Sequence, residues 1–248
     1  SLDHFQSYFL LIYKQYYGKL NNPIQSQGHT KYLLALDDSK DLYSIGKYLT
    51  EHLKVAGGYW SLTSLAALKQ PLPEGKEEEI VKWLKTCQNV DGGFGGNVGH
   101  DSHITSTHYA VLTFLPTIAS SKTSFIKQIN IEKVVEYVSG LQQPDGSFFG
   151  DKWGEVDTRF SYIGVSCLKL LKALDKCDKE KAADYVLSCR NFDGSFGGIP
   201  DAESHAAYVF CCVGTLKITG YIDSFDQELL AKWLCERQTP KGGFNGRP

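Results

Sequence analysis

Arg190-Asn-Phe-Asp-Gly-Ser-Phe196, followed seven residues later by Glu203-Ser-His-Ala-Ala-Tyr-Val-Phe-Cys-Cys-Val-Gly-Thr-Leu-Lys-Ile218, decides the fold. The first stretch recurs as Gln88-Asn-Val-Asp-Gly-Gly-Phe94, Gln142-Gln-Pro-Asp-Gly-Ser-Phe148 and Gln238-Thr-Pro-Lys-Gly-Gly-Phe244. The fourth residues of the copies, 91, 145, 193 and 241, lie 54, 48 and 48 apart. A fixed period of that length marks a repeat architecture, in which each unit buries its apolar face only against its neighbours. Asp-Gly and Gly-Gly supply the positive φ that ends a helix and turns the chain, and the following Phe pins the turn to the core.

An amphipathic helical pattern precedes each copy, clearest in Ile131, Val134, Val135, Val138 and Leu141, with parallels at Ile80, Val81, Leu84, Cys87 and at Leu229, Leu230, Trp233, Leu234. After the first three loops comes a helix that is apolar on most sides, expected over 103–115, 157–172 and 203–218, and such a helix lies inside. One repeat is therefore an outer helix, a Gly-rich turn and an inner helix. Tyr109, Phe160, Tyr162, Ala207, Tyr208 and Phe210 are expected on the wall of an apolar cavity. That choice favours an all-α protein, an α/α toroid of inner and outer helices, over an open superhelix. A further pair is expected over 41–53 and 59–69, joined by a turn at Ala56-Gly57-Gly58, with more helix at 4–18 and 28–37. Residues 1–40 read as an N-terminal helical extension and 41–248 as a partial toroid. The fourth loop runs Asn-Gly-Arg-Pro248 without its inner helix, so the toroid is expected to be incomplete at the C-terminus. A chain that begins with Ser and contains no Met is expected to have been trimmed at one end or more.

Composition narrows the function classes. The 248 residues are 42% hydrophobic, enough for a sizeable core, and 26 Lys+Arg against 28 Asp+Glu leave no basic balance to draw the chain to nucleic acid. No apolar run reaches the ~18 residues of a membrane span, and the charge order of the N-terminus is wrong for a signal peptide. A soluble, cytoplasmic protein is expected. Seven cysteines without C-x-x-C spacing suit reduced, buried thiols better than a disulfide framework or a zinc ribbon. P-loop, GxGxxG and nucleophile-elbow patterns do not occur.

All inner helices start from the Gly-rich loops, so their unpaired N–H groups and positive dipole ends gather at one end, where an anion is favoured. His103, Arg159 and His205 sit there, 12, 14 and 12 residues after Asp91, Asp145 and Asp193, together with Arg247. A phosphate or diphosphate is the expected guest. The competing expectation is that His103 and His205 only cap their helices and Arg159 pairs with Asp157 or Glu155. Gly99-His-Asp-Ser-His103 with His108 invites a metal, but a spacing of five does not set two ligands on one helical face, so no metal ligands are assigned. Asp157 directly before a helix reads as an N-cap rather than a general acid.

The motifs Gly154-Glu-Val-Asp-Thr-Arg-Phe160, Asn191-Phe-Asp-Gly-Ser-Phe-Gly197, Glu203-Ser-His-Ala206, Trp233-Leu-Cys-Glu-Arg-Gln238 and Gly242-Gly-Phe-Asn-Gly-Arg-Pro248 resemble those of protein prenyltransferase β subunits. Ser-His-Ala and Asn-Gly-Arg-Pro are most similar to the Rab (type II) geranylgeranyltransferases. The resemblance runs from about residue 41 to the end of the chain. It implies a barrel of six inner and six outer helices paired with a prenyltransferase α subunit. The activity it implies is transfer of the geranylgeranyl group from geranylgeranyl diphosphate to C-terminal cysteines of Rab GTPases brought by a Rab escort protein. It also implies roles. His205, Ala206, Ala207 and Arg247 would bind the diphosphate, while Ala56, Trp60, Arg159, Tyr162, Phe210 and Cys211 would line the lipid channel, Ala56 at its floor. The family's zinc ligands follow after Gly-Arg-Pro, so zinc is expected for the intact enzyme with no ligand in this chain, and the chain alone is expected to be inactive. Catalytic residues are not assigned. A non-catalytic helical scaffold that keeps the fold is the second reading. A terpene cyclase toroid is the third, and it lacks the Asp-rich acid motif it would need.

Overall fold

A computed structural model describes residues 25–35, 49–119 and 129–247, and its helices repeat the loop period. The chain divides into two compact units, residues 1–42 with 64–71, and residues 43–63 with 72–248. In the first, helix α1 (Ser26–Ala35) buries none of its residues, and Thr30 Oγ1 donates to the Ser26 carbonyl at 2.7 Å. The expected helix over 4–18 lies outside the described residues.

The second unit holds the repeats. A 3-10 turn at Glu51–Leu53 leads into α2 (Lys54–Ala67), which begins in this unit. Then come α3 (Lys76–Thr86), α4 (Ile104–Ala119), α5 (Ile131–Gly140) and α6 (Thr158–Leu170), and after them α7 (Lys179–Ser188), α8 (Ala206–Thr219) and α9 (Gln227–Cys235). Of the thirteen residues of α6, eight are buried, so it is walled in on most sides as an inner helix must be. The outer helices bury one stripe each, Val81 and Leu84 in α3, Val134 and Val138 in α5, Leu230 and Trp233 in α9.

Each loop is closed by local chemistry. Asp91, Asp145 and Asp193 accept the N–H two residues on at 3.0, 3.0 and 2.9 Å, forming Asx turns. The next residue is left-handed, with φ of 92° at Gly146. A Cβ there would stand 2.0 Å from the Lys181 carbonyl oxygen, so glycine is required twice over. Phe94, Phe148 and Phe196 are fully buried, each contributing about 1.5–3 kcal/mol. Phe148 lies flush on Gly164 of α6, where a Cβ would come within 2.6 Å of the ring.

Two sets of hydrogen bonds join successive repeats. Gln88 clasps the backbone of Asn130 with its amide, at 3.1 and 3.2 Å, and Gln142 clasps Asp178 at 2.8 and 2.9 Å. Asn130 and Asp178 in turn cap α5 and α7, so each loop grips the start of the next outer helix. At the inner helices, the N–H groups of Val55, Ile104, Thr158 and Ala206 donate to the carbonyls of Gly96, Gly150, Gly198 and Gly246, at 2.9, 2.8, 2.8 and 2.9 Å. Every inner helix is thereby tied at its first turn to the loop of the following repeat, which satisfies one otherwise unpaired donor.

Three expectations need correction. Ala56-Gly57-Gly58 is not a turn but part of the first turns of α2, because the Val55–Gly96 bond starts the helix there and neither glycine adopts positive φ. Phe160 is not on an open wall; it is 3% exposed, with its ring edge-on to His103 at 5.4 Å. The inner helices are displaced slightly from 103–115, 157–172 and 203–218, since their first residues serve as caps rather than helix.

Candidate functional site

Counting back from the inner helices shows which loop residues correspond. His103, Asp157 and His205 all stand immediately before a first helical residue, and all three cap. His103 Nδ1 accepts the Thr105 N–H at 3.1 Å, His205 Nδ1 accepts the Ala207 N–H at 3.0 Å, and Asp157 Oδ1 accepts the Arg159 N–H at 2.8 Å. Asp157 is therefore the counterpart of the two histidines, and Arg159 corresponds to Thr105, Ala207 and Ala56. An imidazole whose Nδ1 accepts carries its proton on Nε2, so His205 presents Nε2–H as a donor.

The loop of the next repeat presses against that nitrogen. A Cβ on Gly246 would lie 2.6 Å from His205 Nε2, and one on Gly150 would lie 2.9 Å from His103 Nε2. With Ala206 bonded to the Gly246 carbonyl, this contact brings Arg247 to the start of α8. Burial lowers the His103 pKa, opposed by the charges of Asp151 and Glu155.

Both arginines at this end hold carboxylates. Arg159 makes a two-pronged contact with Asp157, Nε to Oδ1 at 2.8 Å and Nη2 to Oδ2 at 3.1 Å, and lies 5.6 Å over the Phe160 ring. The hydrogen bond to Asp157 raises its pKa. Arg247 Nε meets Glu203 Oε2 at 2.9 Å. Glu203, Glu155 and Asp101 occupy one loop register, and Asp101 pairs with Lys152 at 3.2 Å, Glu155 more loosely with Arg159 at 3.9 Å. Sequence reasoning singled out Glu155 as a partner of Arg159 but gave no role to Asp101 or Glu203. Alignment of the loops backwards from the helix caps, instead of forwards from Asp91, Asp145 and Asp193, would have found them.

Aromatic rings follow along the inner helices. Tyr59 stacks on Tyr109 at 5.1 Å, Trp60 meets Tyr109 edge-on at 5.7 Å, and Tyr162 meets Phe210 edge-on at 5.1 Å. Trp60 and Phe210 are 52% and 64% exposed, whereas Ala56 and Cys211 are buried. Burial pushes the Cys211 thiol up to about 12. Between α4 and α6, buried His108 sits 3.3 Å from Ser166 Oγ, and desolvation lowers its pKa to about 4.

Among the described residues, His103, His108, His205 and the buried thiols do not fit zinc. His103 and His205 both use Nδ1 as a cap, His108 faces Ser166, and the buried thiols are held protonated by desolvation. Among the described residues, no three His, Cys, Asp or Glu groups converge on one point.

The sequence matches the prenyltransferase alpha-alpha toroid domain over residues 24–248. The chain belongs to that family. It is 40% identical over 152 residues to the geranylgeranyl transferase type-2 subunit beta of Candida albicans, an alignment covering 59% of this chain and 43% of that protein. The corresponding subunit of Saccharomyces cerevisiae is 40% identical over 146 residues, with the same shares. The protein farnesyltransferase subunit beta of Pisum sativum is 32% identical over 117 residues, 47% of this chain and 27% of the relative. These alignments span less than half the length of the relatives. Among solved structures, Candida albicans protein geranylgeranyltransferase-I complexed with GGPP superposes with a TM-score of 0.74 at 20% identity, covering 91% of this chain and 72% of that one. The expected α/α toroid and the resemblance to prenyltransferase β subunits are both borne out. No helix among the described residues is long and apolar enough to cross a membrane.

Proposed function

We propose that this chain belongs to the β subunit of a cytoplasmic type II geranylgeranyltransferase that prenylates Rab GTPases. In this reading it acts with an α subunit, on Rab presented by an escort protein. The observation that carries the site is the contact of His205 with Gly246, which sets the Nε2–H of His205 and the guanidinium of Arg247 at the start of α8.

In this reading the diphosphate of geranylgeranyl diphosphate rests on His205, the Ala206–Ala207 turn and Arg247, while Trp60, Tyr162 and Phe210 pack the isoprenoid, with Ala56, Arg159 and Cys211 beside it. The acceptor sulfur forms its bond to C1 of the lipid as the C1–O bond breaks, the electron pair leaves with diphosphate, and the thiol proton passes to solvent. Donors fixed before the reaction stabilise the charge that develops on the leaving oxygen. Thiol activation by zinc, which the resemblance implies for the whole enzyme, falls to residues other than those described here.

Titration of the purified chain with geranylgeranyl diphosphate, followed by tryptophan fluorescence, tests the binding half of this reading. Saturable binding that weakens tenfold or more in Arg247→Gln is expected. Absence of saturable binding would leave the scaffold reading in its place.

A further inference from the structure

We infer that Glu203 is a carboxylate latch on the anion site: it holds Arg247 in the ligand-free protein, and an incoming diphosphate displaces it. This rests on the reading of Arg247 as a diphosphate ligand.

The two arginines at the inner-helix starts are held differently. Asp157, only 8% exposed, caps α6 through the same oxygen that receives Arg159 Nε, and its second oxygen receives Nη2. Pulling Arg159 away would leave a nearly buried carboxylate short of donors. Arg247 has a single contact to Glu203, at 2.9 Å, and both side chains are well exposed, 63% and 65%. An exposed pair of this kind is weak and exchanges readily with solvent. A diphosphate carries more charge than a carboxylate and can accept from two N–H edges of a guanidinium. Arg247 is thus the arginine able to change partners, and Glu203 is the group that must move. In the two preceding repeats the same register holds Asp101 against Lys152 and Glu155 against Arg159, so the latch uses a position that pairs with a cation in each repeat.

Glu203 then sets diphosphate affinity by competing with it, and it stands beside the bound anion as a like charge. Calorimetric titration of the full chain with inorganic diphosphate tests this in four proteins: the unaltered chain, Glu203→Gln, Arg247→Gln and the double variant, each checked by circular dichroism for unchanged helix content. Glu203→Gln is expected to bind about two- to fivefold more tightly, the range set by the strength of an exposed ion pair. Arg247→Gln should bind more weakly, and the gain from Glu203→Gln should vanish in its background. Asp101→Asn, at the same loop register but paired with Lys152, should change nothing. If Arg247→Gln weakens binding while Glu203→Gln leaves it unchanged or weaker, the latch is overturned and the diphosphate site stands. If Arg247→Gln has no effect, the diphosphate site itself is overturned, and the latch with it.

Discussion

Gly246 and His205 touch so closely that a Cβ on the glycine would fall 2.6 Å from the imidazole Nε2. The same loop supplies the carbonyl for the Ala206 N–H, so one residue without a side chain fixes both the ring and the first turn of α8. Gly246→Ala is expected to push His205 from its cap and to weaken diphosphate binding by about tenfold, in line with loss of one charge-assisted contact. Its effect on stability should stay near the ~1 kcal/mol of a lost cap. Titration and urea unfolding measured on the same sample separate the two; a fall in stability with unchanged affinity would remove Gly246 from the site.

Two left-handed glycines should differ sharply. Gly146 has φ of 92° and its missing Cβ points onto the Lys181 carbonyl, whereas Gly99 has φ of 79° with open space around it. Gly99→Ala pays only for backbone strain, about 1 kcal/mol. Gly146→Ala must in addition part the loop from the α7 turn and should cost about 3 kcal/mol or more. Equal losses in denaturant unfolding would show that the repeat contact is not tight.

Stability should fall in mild acid because of His108. Burial lowers its pKa from the usual 6.5 to about 4, so the folded protein keeps the ring neutral where the unfolded chain takes up a proton. Its contribution is fully present above pH 6.5 and is lost as pH falls from 6.5 to about 4, amounting to roughly 3 kcal/mol. In His108→Gln that slope should be absent from unfolding free energies measured across this interval.

Donor length is expected to depend on Ala56. The residue is buried in the first turn of α2, at the register held by Arg159 and Ala207 in later repeats. Each extra buried methylene of lipid contributes about 0.8 kcal/mol, so a large side chain across the lipid path would cancel the advantage of a 20-carbon donor over a 15-carbon one. In the assembled enzyme, Ala56→Trp should shift the ratio of kcat/KM toward the shorter donor. An unchanged ratio would place Ala56 away from the lipid.

Much of the candidate site was legible because its devices are local. The Asx turn of Asp193, the left-handed Gly194 and the cap at Asp157 depend on residues within two or three positions, and they were readable as such. Phe160 was misread because apolar periodicity identifies a face without saying what covers it, and His103 covers this one. The carboxylates at 101 and 203 were missed because their cation partners Lys152 and Arg247 come from a different repeat, 51 and 44 residues away in the chain, whereas Glu155 was readable as a partner of Arg159 only four residues on.

The sequence by itself determined the repeat, the alternation of helix types and the glycine turns, since each follows from hydrogen bonds and steric limits within one short segment. Tertiary structure decided where α2 begins, that Ala56-Gly57-Gly58 is helical, that His108 is desolvated and that Arg247 meets Glu203. Those outcomes depend on contacts between successive repeats, such as Val55 with Gly96 and Ala206 with Gly246. A bond of that kind joins groups about 40 residues apart, and its energy exists only once both repeats have folded against each other.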